Sequence, residues 1–182
     1  LIRPILRGRD IKRYGYNWDN LWLINTHNGI KGVKPRININ EYSAVKAYLD
    51  QHWDKISKRA DKGDTPYNLR NCAYMEDFYK PKIVWGNLNL SAAYSIAADG
   101  IFVNAPCPMI VPASKYLLAI LNSKVADYYI RQLGVTRNGG YFEYKPMFVE
   151  NLPVPNNIDC KTIEYLEACV NSKDESSIDK LV

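Results

Sequence analysis

The chain has 182 residues, of which 47% are hydrophobic and 24% charged, the proportions of a folded domain with one core and not of a disordered, collagen-like or disulfide-stapled chain. Its net charge is +5, and no apolar run approaches the roughly 18 residues that span a bilayer, so no membrane helix is expected. The start, Leu1-Ile2-Arg3-Pro4, is not a signal peptide and carries no initiator Met, so the chain is read as part of a longer cytoplasmic protein.

Taken in order, Ile5-Leu6-Arg7-Gly8-Arg9-Asp10-Ile11 reads as a strand running into a polar, basic turn. Trp22-Leu23-Ile24 reads as a second, buried strand, and Thr26 to Asn40, with its Asn-Gly, Lys-Gly and Lys-Pro pairs, as a long loop. Apolar residues then recur at Tyr42, Val45, Tyr48, Leu49, His52, Trp53 and Ile56, which predicts a helix over 41–57 capped by Asn40. The charged stretch Lys58 to Tyr67 is expected to be exposed. Lys82 to Trp85, Ala92 to Ala97 and Gly100 to Val103 read as strands. Ser114 is expected to cap one helix, Asn122-Ser123 to cap a second, and Gly134 to end it, giving helical structure over 114–133. Beyond an exposed loop from Gly134 to Gly140, Tyr141 to Val149 reads as extended, and Leu152-Pro153-Val154-Pro155 as a rigid, non-helical exit. Cys160 to Val170 returns to helical spacing. The expected fold is α+β: a twisted mixed β-sheet with packed helices over 1–155, then a short acidic helical tail over 156–182.

Charge is distributed unevenly. Residues 1–82 hold 16 basic and 9 acidic side chains, residues 83–149 hold 5 and 3, and residues 150–182 hold 3 and 7. A basic body with an acidic end suits a polyanionic partner. Cys72, Cys107, Cys160 and Cys169 show no CxxC spacing and lie far from His27 and His52, so they are read as packing thiols in a reducing compartment, without a metal site.

Two patterns borrowed from other chemistries lack their supporting residues. Glu143-Tyr144-Lys145 has the E-x-K spacing of metal-dependent nucleases, but the nearest upstream carboxylate, Asp127, falls in a predicted helix. Gly29-Ile30-Lys31-Gly32 matches the GxxG loop of KH domains, which needs a helix on each side where this sequence has turns. No catalytic residue is visible. What remains is a set of basic residues interleaved with aromatic and amide side chains in loops: Arg7, Arg9, Lys12 and Arg13; Arg59, Lys62, Tyr67, Asn68, Arg70 and Asn71; and Arg137 with Asn138 beside Gly139-Gly140. Arg and Lys neutralise phosphates, while Arg on guanine and Asn on adenine are the favoured base readers in the major groove. Among these, Arg137 is the expected base reader, because the glycines after it admit a close backbone approach.

The order of five segments carries a resemblance. Ile5 to Ile11, Thr65-Pro66-Tyr67-Asn68-Leu69-Arg70, Lys80-Pro81-Lys82-Ile83-Val84-Trp85, Tyr116 to Lys124 and Glu150-Asn151-Leu152-Pro153-Val154-Pro155 together resemble the TaqI-like C-terminal specificity domain of type IIG restriction-modification enzymes and related adenine-specific DNA methyltransferases, over residues 3 to 155. The resemblance implies a target-recognition domain for double-stranded DNA that positions methyltransferase and nuclease domains lying before it in the parent chain. It implies S-adenosylmethionine and Mg for those domains and no cofactor here. It also makes Leu117 to Ser123 a structural helix junction and Leu152 to Pro155 an exit, neither of them reading bases. Two alternatives remain: a specificity-subunit-like module that docks a methyltransferase through its acidic tail, and a free-standing hydrolase using Glu143 and Lys145.

Overall fold

The computed structural model describes residues 1–182. The strands are β1 (Ile2–Leu6), β2 (Ile11–Lys12), β3 (Gly15–Tyr16), β4 (Trp22–Ile24), β5 (Lys82–Trp85), β6 (Leu88–Asn89), β7 (Tyr94–Ala97), β8 (Phe102–Val103), β9 (Met109–Ile110) and β10 (Phe142–Glu143). The helices are α1 (Ser43–Asp50), α2 (Trp53–Ile56), α3 (Lys115–Asn122), α4 (Lys124–Leu133), α5 (Pro146–Val149), α6 (Cys160–Ser172) and α7 (Glu175–Leu181). The fold is α+β, with its strands in four small sheets instead of one. Its contacts divide the chain into two compact units: a smaller one of Leu1–Arg3 and Trp22–Glu76, and a larger one of Pro4–Leu21 and Asp77–Val182.

The larger unit holds the apolar core. Its centre is the antiparallel sheet β7-β5-β9, in which Ile83 pairs with Ile96 on one side and Ile110 on the other. Elsewhere in the unit, Ile5 and Leu6 of β1 run parallel to Phe102 and Val103 of β8. Ile83, Trp85 and Tyr94 pack with Leu118, Leu121, Ile130, Tyr144, Leu166, Val170 and Ile178. The two central helices begin where the sequence places them. Ser114 accepts from the Leu117 N–H at 3.2 Å and Ser123 from the Ala126 N–H at 3.1 Å, each satisfying a donor that a helix start leaves open. Between those caps, Asn122 holds α3 to the sheet. Its side chain accepts from the Tyr94 N–H at 3.0 Å and donates to the Tyr94 carbonyl at 2.9 Å, the same carbonyl that accepts from the Tyr14 N–H at 3.0 Å.

In the tail, Leu166, Cys169, Val170 and Ile178 are buried in the same core. Two expectations are corrected. Tyr141 to Val149 is extended only at its start; Pro146 occupies the first turn of α5, a position where its missing N–H costs nothing. The predicted helix over 41–57 is two short helices broken at Gln51-His52, with Asn38 capping a preceding 3-10 turn over Ile39–Glu41. No residue of α1 or α2 is fully buried, so no packing enforces one continuous helix. Trp22, expected in a buried strand, is 56% exposed.

One buried charge stands out in the larger unit. Lys82, at the start of β5, is completely buried, and its ammonium donates to the carbonyls of Phe78, Lys80 and Ala98 at 2.9, 3.0 and 2.9 Å. All three of its protons are satisfied, but burial pushes its pKa down to about 8.

The smaller unit has a different interior. Beside Ile39 and Met75 it buries Asn25, Thr26, His27 and Asn68, so hydrogen bonds organise it more than apolar area does. Its polypeptide ends are joined locally, the Asn25 N–H donating to the Leu1 carbonyl at 2.8 Å.

Candidate nucleic-acid interface

In the larger unit, four segments of loop and short strand enclose an open cleft of about 710 Å³. Gly8 to Lys12 form one wall, where a 3-10 turn leads into β2. The loop after β5, residues 86–91, lies beside it, and a Cβ on Gly86 would come within 3.3 Å of the Gly8 Cα, so the two chains approach closely. Asn104 to Cys107 and Arg137 to Lys145 supply the remaining walls.

Four cations line this space: Arg9, Lys12, Arg137 and Lys145. Its lining carboxylate, Glu143, lies in β10, paired with Leu88 of β6. The Glu143 side chain is 4% exposed and is held by the Arg137 Nε at 2.7 Å and the Lys145 Nζ at 3.1 Å. Those two cations, Arg137 first, keep its carboxyl below the usual carboxylate range. The Arg137 loop is itself fixed, its N–H donating to the Tyr141 carbonyl at 2.7 Å across Gly139 and Gly140, both with φ of 78°. The guanidinium is thus anchored along its Nε–Nη2 edge, on a side chain that is 54% exposed. Asn87, Asn89 and Asn104 add amides to the lining, and the Asn87 Oδ1 is buried with no hydrogen-bond partner.

Behind the cleft, α4 fastens the loop that forms its rim. Asp127 accepts from the Ala92 N–H at 2.8 Å and from the Tyr144 hydroxyl, while Arg131 reaches the Leu90 carbonyl at 2.9 Å and pairs with Asp127 at 2.6 Å. Asp127, the nearest upstream acid to the E-x-K pattern, is therefore engaged with Arg131 and Tyr144.

Of the basic residues singled out from the sequence, Arg9, Lys12 and Arg137 converge on the cleft, and Asn138 sits exposed in the turn after Arg137. Arg7 and Arg13 are occupied elsewhere. Arg7 clamps the buried Asp10 at 2.8 Å and also pairs with Asp19. Arg13 bonds the Asn122 carbonyl at 2.6 Å and Glu175 at 2.7 Å, fixing the start of α7.

The second group lies in the smaller unit and splits in the same way. Asn68 is buried, its amide donating to the Ile37 carbonyl at 3.0 Å and its oxygen accepting from Thr65 at 2.6 Å. Arg59 bonds the Asn68 carbonyl at 2.7 Å, and Tyr67 donates to Asp50 at 2.6 Å. Those three build the loop. Lys62 and Arg70 are exposed: Lys62 donates only to the Ser57 carbonyl and Arg70 lies 3.5 Å from Asp61. Asn71 accepts from Asn28 at 2.7 Å.

The sequence reading expected Glu143 and Lys145 to be structural or phosphate-contacting without grouping Lys145 with Arg9, Lys12 and Arg137, and it missed the amides Asn87, Asn89 and Asn104. The available signal was the run Gly86-Asn87-Leu88-Asn89 directly after a strand, a turn rich in amides.

The TaqI-like C-terminal specificity domain pattern matches residues 3–154. The chain belongs to this family. It is also 22% identical, over 94% of its length, to the type II methyltransferase M.BanIII of Aneurinibacillus aneurinilyticus, and 22% identical, over 86% of its length, to the type II methyltransferase M.BstVI of Geobacillus stearothermophilus. It covers 32% and 28% of those two proteins, so it spans about a third of the relatives it matches. Membership in the specificity-domain family supports a DNA-recognition role, and no helix of the chain is long and apolar enough to cross a membrane.

The buried Glu143 makes a testable statement about this cleft. Glu143→Gln removes its negative charge and loosens the grip on Arg137. Duplexes of unrelated sequence are then expected to bind more tightly, on the order of threefold at low salt, while discrimination between sequences falls. Because the native carboxyl titrates below its ordinary range, the stability it contributes is present above that range and lost as pH falls toward its folded value. Acid-unfolding curves of the Gln variant should lack that component.

Proposed function

We propose that this chain recognises a short sequence in double-stranded DNA for a type II restriction-modification enzyme, positioning the domains that modify or cut the target. The observation that carries this reading is the cleft, whose four cations and three asparagines surround one carboxylate masked by Arg137 and Lys145. Exposed cations provide phosphate contacts, and a guanidinium held along one edge is oriented to meet the N7 and O6 of a guanine with the other. In this reading adenine methylation and any cleavage, with the S-adenosylmethionine and Mg they need, belong to preceding domains in a cytoplasmic parent. Glu143 and Lys145 then act as cleft architecture and not as a nuclease centre.

Selection of binding sites from a randomised duplex pool tests the reading. Arg137→Ala is expected to cost about 1–3 kcal/mol on the preferred sequence and to relax selection at one base pair, whereas Lys62→Ala should weaken all duplexes alike and lower the salt slope by about one. An unchanged preferred sequence with Arg137→Ala would remove Arg137 from the readout.

A further inference from the structure

Most of the chain's net charge lies outside the unit that holds the cleft. The smaller unit carries ten Lys and Arg against six Asp and Glu, +4 of the total +5, while the larger carries fourteen against thirteen. Within the smaller unit, a concavity of about 920 Å³ is lined by the turn from Asn28 to Arg36, the segment containing the Gly29-Ile30-Lys31-Gly32 pattern.

This turn is held by hydrogen bonds along its length. Ile30 and Lys34 bridge, with the Val33 and Lys34 N–H groups both donating to the Ile30 carbonyl at 3.0 and 2.9 Å. At its base Asn28 bonds the Asp64 carboxylate at 3.0 Å, the Asp64 N–H at 2.9 Å and Asn71 at 2.7 Å. The tip is both exposed and cationic. Val33 is 77% exposed, and Lys31 beside it has no carboxylate within salt-bridge distance. Lys34 and Arg36 stand lower, paired with Glu76 at 3.2 Å and Asp64 at 2.9 Å. Both of those pairs are solvent-accessible, so they contribute little and exchange readily for another anion.

We propose that this turn is a second DNA contact, in which Lys31, supported by Lys34 and Arg36, grips the phosphodiester backbone of the duplex without reading its sequence. The proposal rests on the DNA-recognition reading and adds to it, beyond the cleft and Lys62, a phosphate contact on the Asn28–Arg36 turn. An exposed turn with a free ammonium meets a phosphate row, whereas base readout needs the anchored, planar groups that the cleft provides.

Fluorescence anisotropy with labelled duplexes of two unrelated sequences, titrated from low to physiological salt, tests it on the 182-residue chain. Lys31→Ala should lower the slope of log K against log salt by about 0.9, equally for both duplexes, and Lys31→Glu should lower affinity further. Lys31 is exposed and unpaired, so thermal melts of both variants should match the parent chain. Unchanged slopes for both Lys31 variants, with affinity lost in an Arg137→Ala, Lys145→Ala chain, would overturn the turn contact and leave the cleft reading standing. Absence of salt-dependent duplex binding by the unmodified chain would overturn both.

Discussion

Gly29→Ala is expected to destabilise the smaller unit by about 3–4 kcal/mol, from a left-handed backbone unsuited to alanine together with an overpacked contact. At φ of 80°, a Cβ there would stand 2.5 Å from the Lys34 carbonyl oxygen, 2.7 Å from the Arg36 nitrogen and 2.8 Å from the Pro35 carbonyl carbon. All three are backbone atoms, so no side-chain rotation relieves the collision. Gly32→Ala is the matched control. Its φ is 76° with nothing within 4 Å of the added carbon, so only the backbone term remains, about 1 kcal/mol. Hydrogen exchange resolves the two: protection around His27, Ile37 and Leu69 should fall in Gly29→Ala, with the β5 and β7 amides unaffected.

The second large effect is a pH dependence at Lys82. Its folded pKa, about 8, lies below the 10.5 of an unperturbed lysine. Below pH 8 both folded and unfolded states hold the proton, and the folded state bears the full cost of burying the ammonium. Between pH 8 and 10.5 the unfolded chain binds more protons, so stability rises with pH, by about 3 kcal/mol from this group. Above that window the contribution is constant. Lys82→Met should flatten this rise in denaturant titrations carried out across the window, and a rise of the same size in the Met variant would assign it to another group.

The sequence disclosed elements whose signals are local. Ser114, Ser123 and Gly134 delimit α3 and α4 because a cap acts through neighbours two or three positions away. Strands β5 and β7 were legible from their β-branched and aromatic runs. Strands β6 and β9, two residues each, are defined by their partners and leave no pattern of their own. Over 41–57 the helical period was present, but Tyr48 and Trp53 remain 51% and 43% exposed, and periodicity without a surface to pack on did not make one helix. The tail shows the reverse case: its helical spacing was legible over Cys160 to Val170, but six acidic residues marked it as solvent-facing, whereas Leu166, Cys169 and Val170 form a core-facing stripe. For the candidate site, composition located the loops without ranking their members. Arg9 and Arg7 are two residues apart in one turn, yet one lines the cleft and the other is held by Asp10 and Asp19. Which arginine finds a carboxylate is decided by contacts distant in sequence, and no local period records them.

The path of the chain through its two units has an evolutionary consequence. Residues 22–76 form one uninterrupted stretch whose flanking residues, Leu21 and Asp77, both belong to the larger unit. Every residue of the apolar core cluster lies outside that stretch, so a change of length or sequence within 22–76 leaves the core to fold from chain on either side. Sequence change in that stretch therefore has a route that leaves the supporting core under separate selection.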